Sequence, residues 1–101
     1  MRFLLHVSFP VEKFNEVVRD GVAHEKIGQI LEETKPEAAY FTATDGNRSA
    51  LLVVNMTNAS DMPRLAEPWL LNFDASIEVL PVMTPQDLQQ AGLDKLAKKW
   101  A

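Results

Sequence analysis

The sequence predicts a single α+β domain: a four-stranded antiparallel sheet with helices on one face. Three observations carry that expectation. The chain has 101 residues, 47% of them apolar, which suits one folded core and is too apolar for a disordered chain. Segments with apolar residues at every second position alternate with segments at helical spacing. Between two of the strand-like segments stands Asp45-Gly46-Asn47-Arg48, a turn sequence that tolerates positive φ and closes a β-hairpin.

Taken in order, residues 2–9 place Phe3, Leu5, Val7 and Phe9 on one side and Arg2, Leu4, His6 and Ser8 on the other, the period of a strand. Pro10 ends that strand and opens a helix, where its missing N–H is not needed. Phe14, Val17, Val18 and Val22 recur at helical spacing, and so do Ile27, Ile30 and Leu31, but about 140° round the axis. The phase breaks near Gly21, so the segment reads as two helical pieces, 11–20 and 24–34. Ala38 to Thr44 and Ser49 to Met56 are the two arms of the hairpin. Asn58 to Asp61 supply cap residues for a helix with Pro63 in its first turn, and Pro68 is expected to break or kink that helix before Trp69. Ala75 to Val82 is a fourth strand. Thr84, Pro85 and Asp87 then start a last helix of about 85–100, with Leu93, Leu96, Ala97 and Trp100 as its stripe and Gly92 as a dividing point. The order β-α(α)-β-β-α-β-α is that of a ferredoxin-like sandwich with a split first helix and an extra C-terminal helix.

Composition narrows the function classes. The formal charge is −4, which argues against a nucleic-acid partner. The one basic cluster, Lys95, Lys98 and Lys99, belongs to the last turns of a helix, where cations complement the dipole. There is no cysteine, which removes disulfides, zinc thiolates and thiol nucleophiles and fits a cytoplasmic protein. The apolar N-terminal run is interrupted by His6 and Ser8 and followed at once by Pro10, Glu12 and Lys13, unlike a signal peptide. The longest unbroken apolar run, Ala50 to Val54, is far too short to span a bilayer, so no membrane association is expected.

The sheet speaks to assembly. A sheet with one wet face should alternate apolar and polar residues. Here Leu4 shares the second face of the first strand with His6, and Leu51 and Val53 oppose Leu52 and Val54 on the third. On the fourth, Ile77 and Val79 oppose Leu80, Val82 and Glu78. Leaving that second face in water forfeits several kcal/mol of burial at about 25 cal/mol per Å². A homodimer packed through the sheet face is therefore expected, with the C-terminal helix reaching onto the partner.

Lys35-Pro36-Glu37-Ala38-Ala39-Tyr40-Phe41, Asp45-Gly46-Asn47-Arg48, Ala66-Glu67-Pro68-Trp69 and Pro81-Val82-Met83-Thr84-Pro85-Gln86-Asp87-Leu88 together resemble a branch of small bacterial proteins within the dimeric α+β barrel superfamily. The resemblance covers roughly residues 2–95. It implies a dimer of ferredoxin-like chains. The superfamily includes cofactor-free monooxygenases, lactone isomerases, haem-degrading enzymes and stress-response proteins, so the resemblance selects no chemistry.

Four residues are candidates for a ligand site: His6, Tyr40, Glu67 and Trp69. His6 can serve as a general base, or as a buried imidazole paired with Glu78. Tyr40 offers a phenol on a strand, or simple packing. Glu67 and Trp69 flank Pro68, where irregular backbone and an indole wall suit a cavity; the alternative is a core indole with a surface carboxylate. Arg48 at the hairpin tip and His24 near Gly21 read as solvated. Asn55, Trp69 and His6 match the residue types of haem-degrading relatives, but not by position. With no His-x-x-x-His or Glu-x-x-His pair, no metal is expected, and no bound cofactor either. The sequence thus supports a homodimer that binds a small apolar or aromatic molecule, with a cofactor-free monooxygenase- or isomerase-like activity as one form. The alternative is a non-catalytic dimeric structural or regulatory module. A cavity of about 300 Å³ or more reaching both Tyr40 and Trp69 distinguishes the first from a filled interior.

Overall fold

A computed structural model describes residues 1–101. Strand β1 (Arg2–Ser8) is followed by helices α1 (Val11–Arg19) and α2 (Ala23–Thr34), then by the hairpin β2 (Ala38–Thr44) and β3 (Asn47–Asn55). A single 3-10 turn (Ala59–Asp61) leads into α3 (Met62–Phe73), then come β4 (Ser76–Pro81), α4 (Pro85–Gln90) and α5 (Leu93–Trp100). The four strands form one antiparallel sheet in the order β2-β3-β1-β4, a ferredoxin-like α+β sandwich.

Local chemistry sets most boundaries. Asp45 and Gly46 have φ of 52° and 80°, both left-handed, so the hairpin closes through a two-residue turn whose twist matches its strands. Gly21, with φ of 75°, lies between α1 and α2 where the apolar phase changes. Gly92, with φ of 72°, separates α4 from α5 in the same way. At the start of α4, Asp87 N–H donates to Thr84 Oγ1 (3.1 Å) and Thr84 N–H donates to Asp87 Oδ2 (3.0 Å), a reciprocal cap.

One expectation is corrected. Pro68 does not break its helix: α3 runs through it as one twelve-residue element. An interior proline costs about 3 kcal/mol. Leu65, Ala66, Trp69 and Phe73 are all buried along this helix, and burying the three large side chains at roughly 1.5–3 kcal/mol each outweighs that cost. Asn72 Nδ2 also donates to the carbonyl of Pro68 at 2.7 Å.

The core lies between one sheet face and α1–α3. Leu5, Val7, Ala50, Leu52 and Val54 of the sheet meet Phe14, Val17, Ile30, Leu65 and Phe73 of the helices. Phe9, Phe14, Trp69 and Phe73 form a continuous aromatic cluster with centroid separations of 4.8–6.0 Å. Helices α4 and α5 add nothing to this core. No residue of either is buried, and the molecule is drawn out to 59 × 28 × 19 Å.

Candidate functional site

The sheet face opposite the helices carries the most organised polar and apolar pattern outside the core. Strand register arranges it in rows running across the sheet. Ala38, Val53, Leu4 and Leu80 form an apolar row. Tyr40, Leu51, His6 and Glu78 form the next, and Thr42, Ser49, Ser8 and Ser76 a hydroxyl row beyond it. The period-2 reading of the strands anticipates this pattern: the residues opposite the core are those that parity assigns to the second face.

His6 is the hub of the polar part. Its Nε2 lies 3.1 Å from Thr44 Oγ1, Thr44 Oγ1–H donates to Ser49 Oγ at 3.1 Å, and its Nδ1 lies 3.5 Å from Glu78 Oε1. Ser49 is only 1% exposed although it sits on the open face. Glu78, by contrast, is well exposed, so this string runs from solvent to a buried hydroxyl. Chemically it can hold a proton on either ring nitrogen and present one to a neighbouring group.

The four sequence candidates do not converge. Tyr40 shares the open face with His6 and is 65% exposed. Trp69 lies on the other side of the sheet with no exposed surface, and its Nε1–H has no hydrogen-bond partner. Glu67 is exposed on α3. The expected cavity joining Tyr40 to Trp69 is absent, because Phe9, Phe73, Leu5 and Leu52 fill the space between sheet and helices. Thr44 and Ser49 stand outside the sequence candidates. A two-residue turn at Asp45-Gly46 puts both on the His6 face, and strand parity alone is the signal that finds them.

At the end of the sheet, Arg2 Nε donates to Glu37 Oε2 (2.8 Å) and Asn55 Nδ2 donates to Glu37 Oε1 (2.9 Å). These bonds, the Arg2 one first, hold the Glu37 carboxyl below its ordinary value. Asp87 is likewise lowered, chiefly by the Thr84 backbone N–H that it accepts. Arg48 Nη1 donates to Asn15 Oδ1 at 2.8 Å, and its guanidinium lies over the Phe14 ring, so it is tied to α1.

No three His, Asp or Glu side chains cluster to hold a metal ion. No helix is long and apolar enough to cross a membrane. Three clefts open on the surface, and neither Tyr40 nor Trp69 lines any of them. No curated protein matches the chain. Residues 1–96 match the family described as a domain of unknown function, DUF3303, and the chain belongs to that family.

Proposed function

We propose that this chain acts as a homodimeric, non-catalytic module in the cytoplasm, two copies packing their open sheet faces together in the manner of dimeric α+β barrels. The observation that carries this reading is the apolar row Ala38, Val53, Leu4 and Leu80 lying across a face that no helix covers. Strands about 4.8 Å apart with about 3.3 Å per residue give this face a footprint of roughly 400 Å². Stable interfaces take about 800 Å² per partner, so the sheet supplies only part of what is needed. The arm α4–α5, which carries exposed Leu88, Leu93, Leu96 and Trp100, supplies the remainder. Its three lysines against two aspartates also complement an otherwise acidic chain. The separation of the four candidate residues and the filled interior favour the non-catalytic form.

A second reading is favoured by the Glu78–His6–Thr44 string. In it, a small apolar or aromatic molecule sits between the two sheets beside His6 and Tyr40, for an isomerase- or monooxygenase-like step without a bound cofactor.

Light scattering during size-exclusion chromatography at micromolar concentration tests the dimer. The expected mass is twice 11.3 kDa. Leu80→Lys, at a half-exposed position on an edge strand, should give a folded monomer. A monomeric unmodified protein overturns the proposal.

A further inference from the structure

A separate cleft of about 260 Å³ opens on the core side of the sheet, lined by the start of β1, the segment that follows β3 and the first residue of α3. Met56, almost fully buried, and Phe3, partly buried, are packed with the core there, while Met1, Ala59 and Met62 form the more exposed wall. We infer that this cleft is a binding site for a small uncharged molecule carrying one aromatic ring, a reading independent of the sheet-face dimer.

Three features support that assignment. The backbone groups at the rim are already used: Thr57 and Asn58 N–H both donate to Asp61 Oδ2 at 3.2 Å, and Asp61 N–H donates to the Asn58 carbonyl at 3.0 Å. A charged ligand would thus find no free counter-group among them and would lose its hydration, which is costly. Arg2 belongs to the opposite face of β1 and is bonded to Glu37, and the Met1 amine, the one cation on a lining residue, is engaged by Asn55 Oδ1 at 2.8 Å.

The lining is also chemically soft. Three of the chain's four methionines, Met1, Met56 and Met62, line this cleft, while Met83 lies on a different one. Thioethers are polarisable, flexible and make favourable contacts with aromatic rings. Flexible side chains can close around a flat guest without the strain that a rigid leucine or valine wall would impose.

Size sets the last limit. An apolar cavity of about 150 Å³ accepts benzene, and sites for drug-sized ligands begin near 300 Å³. The cleft falls between these values, which suits one ring with a small substituent.

The test uses protein labelled with carbon-13 at the methionine methyl groups and titrated with benzyl alcohol. The Met1, Met56 and Met62 signals should shift and saturate together while Met83 stays fixed. Benzoate should bind at least tenfold more weakly. Ala59→Phe, on an exposed turn where a larger side chain is tolerated, fills the cleft and should weaken benzyl alcohol binding at least tenfold; Ala59→Met serves if that variant misfolds. Leu80→Lys should leave the shifts intact, so a failed dimer and a failed site are told apart. Four methyls moving without saturation, or unchanged affinity in the filled variant, overturns the inference. So does a Trp100→Ala change that moves the three methyls with no ligand present, since the cleft would then be occupied by the arm of a second copy.

Discussion

His6 and Glu78 are register partners across β1 and β4, with Nδ1 3.5 Å from Oε1, while the other ring nitrogen lies 3.1 Å from Thr44 Oγ1. Donation of the Thr44 proton to Ser49 leaves Thr44 Oγ1 to accept from Nε2–H. In that arrangement a neutral ring carries its proton on Nε2 and turns a lone pair toward Glu78. Thr44→Val removes that acceptor while keeping a β-branched strand residue. The imidazole proton should then move to Nδ1 and bond Glu78, at a stability cost of about 1 kcal/mol. Nitrogen-15 shifts of the His6 ring read the tautomer directly; an unchanged tautomer in the variant contradicts donation from Nε2–H to Thr44.

Trp69 has no exposed surface and an indole N–H with no partner. Substituting phenylalanine removes an unsatisfied donor along with volume, whereas alanine removes the ring from the aromatic cluster altogether. Trp69→Phe should cost about 1–3 kcal/mol and Trp69→Ala about 3–5 kcal/mol by urea denaturation. Equal losses would mean that the part of the indole that phenylalanine cannot replace carries the packing at this position. Fluorescence of monomeric Leu80→Lys offers a second check, since Trp100 is 76% exposed in a single copy and should emit from water there, while Trp69 should emit from the core.

Much of this architecture is legible in the sequence, and the exceptions have physical causes. The strands and the hairpin follow from period-2 patterning and Asp45-Gly46, because side-chain parity and positive φ are local properties. The continuity of α3 through Pro68 is not legible, because it depends on how much of Trp69 and Phe73 the sheet buries. The candidate site is legible only in part. His6 and Tyr40 share a face because parity dictates it, and the Glu78 pairing follows from register. Residue type alone groups Trp69 with them, and type does not say on which side of a sheet a helix lies. The Met-lined cleft has no sequence signal, since it arises where the 57–62 segment crosses the sheet end.

The Arg2–Glu37–Asn55 cluster gives a pH prediction whose sign follows from its hydrogen bonds. Glu37 has its ordinary value of 4.5 lowered in the fold, so its stabilisation is complete above 4.5 and is lost as pH falls through the folded value. Asp87, lowered from 3.8 by the Thr84 cap, follows the same direction. The urea midpoint should therefore decline on acidification below about pH 4.5. Glu37→Gln keeps the shape and the Arg2 contact but cannot titrate, and it should flatten the upper part of that decline. An unaltered acid limb in Glu37→Gln would assign the decline to other carboxylates.

The arm offers a prediction about where stability resides. No residue of α4 or α5 is buried, so the arm contributes little to the fold of one copy. Eight residues are too few for an isolated helix to persist in water, where about 12–15 are needed even for favourable sequences. Leu93, Leu96 and Trp100 nevertheless form an apolar stripe, and Lys98 and Lys99 sit where cations favour a helix C-terminus. These facts fit together if α5 is ordered by docking onto a second copy. Deleting residues 92–101 should therefore leave the thermal midpoint of a dilute monomer within about 2 °C of the full chain, a shift below about 1 kcal/mol. The same deletion should raise the dimer dissociation constant at least tenfold. Hydrogen exchange separates the two effects: α5 amides should be protected in the dimer and unprotected in monomeric Leu80→Lys. Protection of α5 in that monomer would place the arm on its own domain and remove it from the interface.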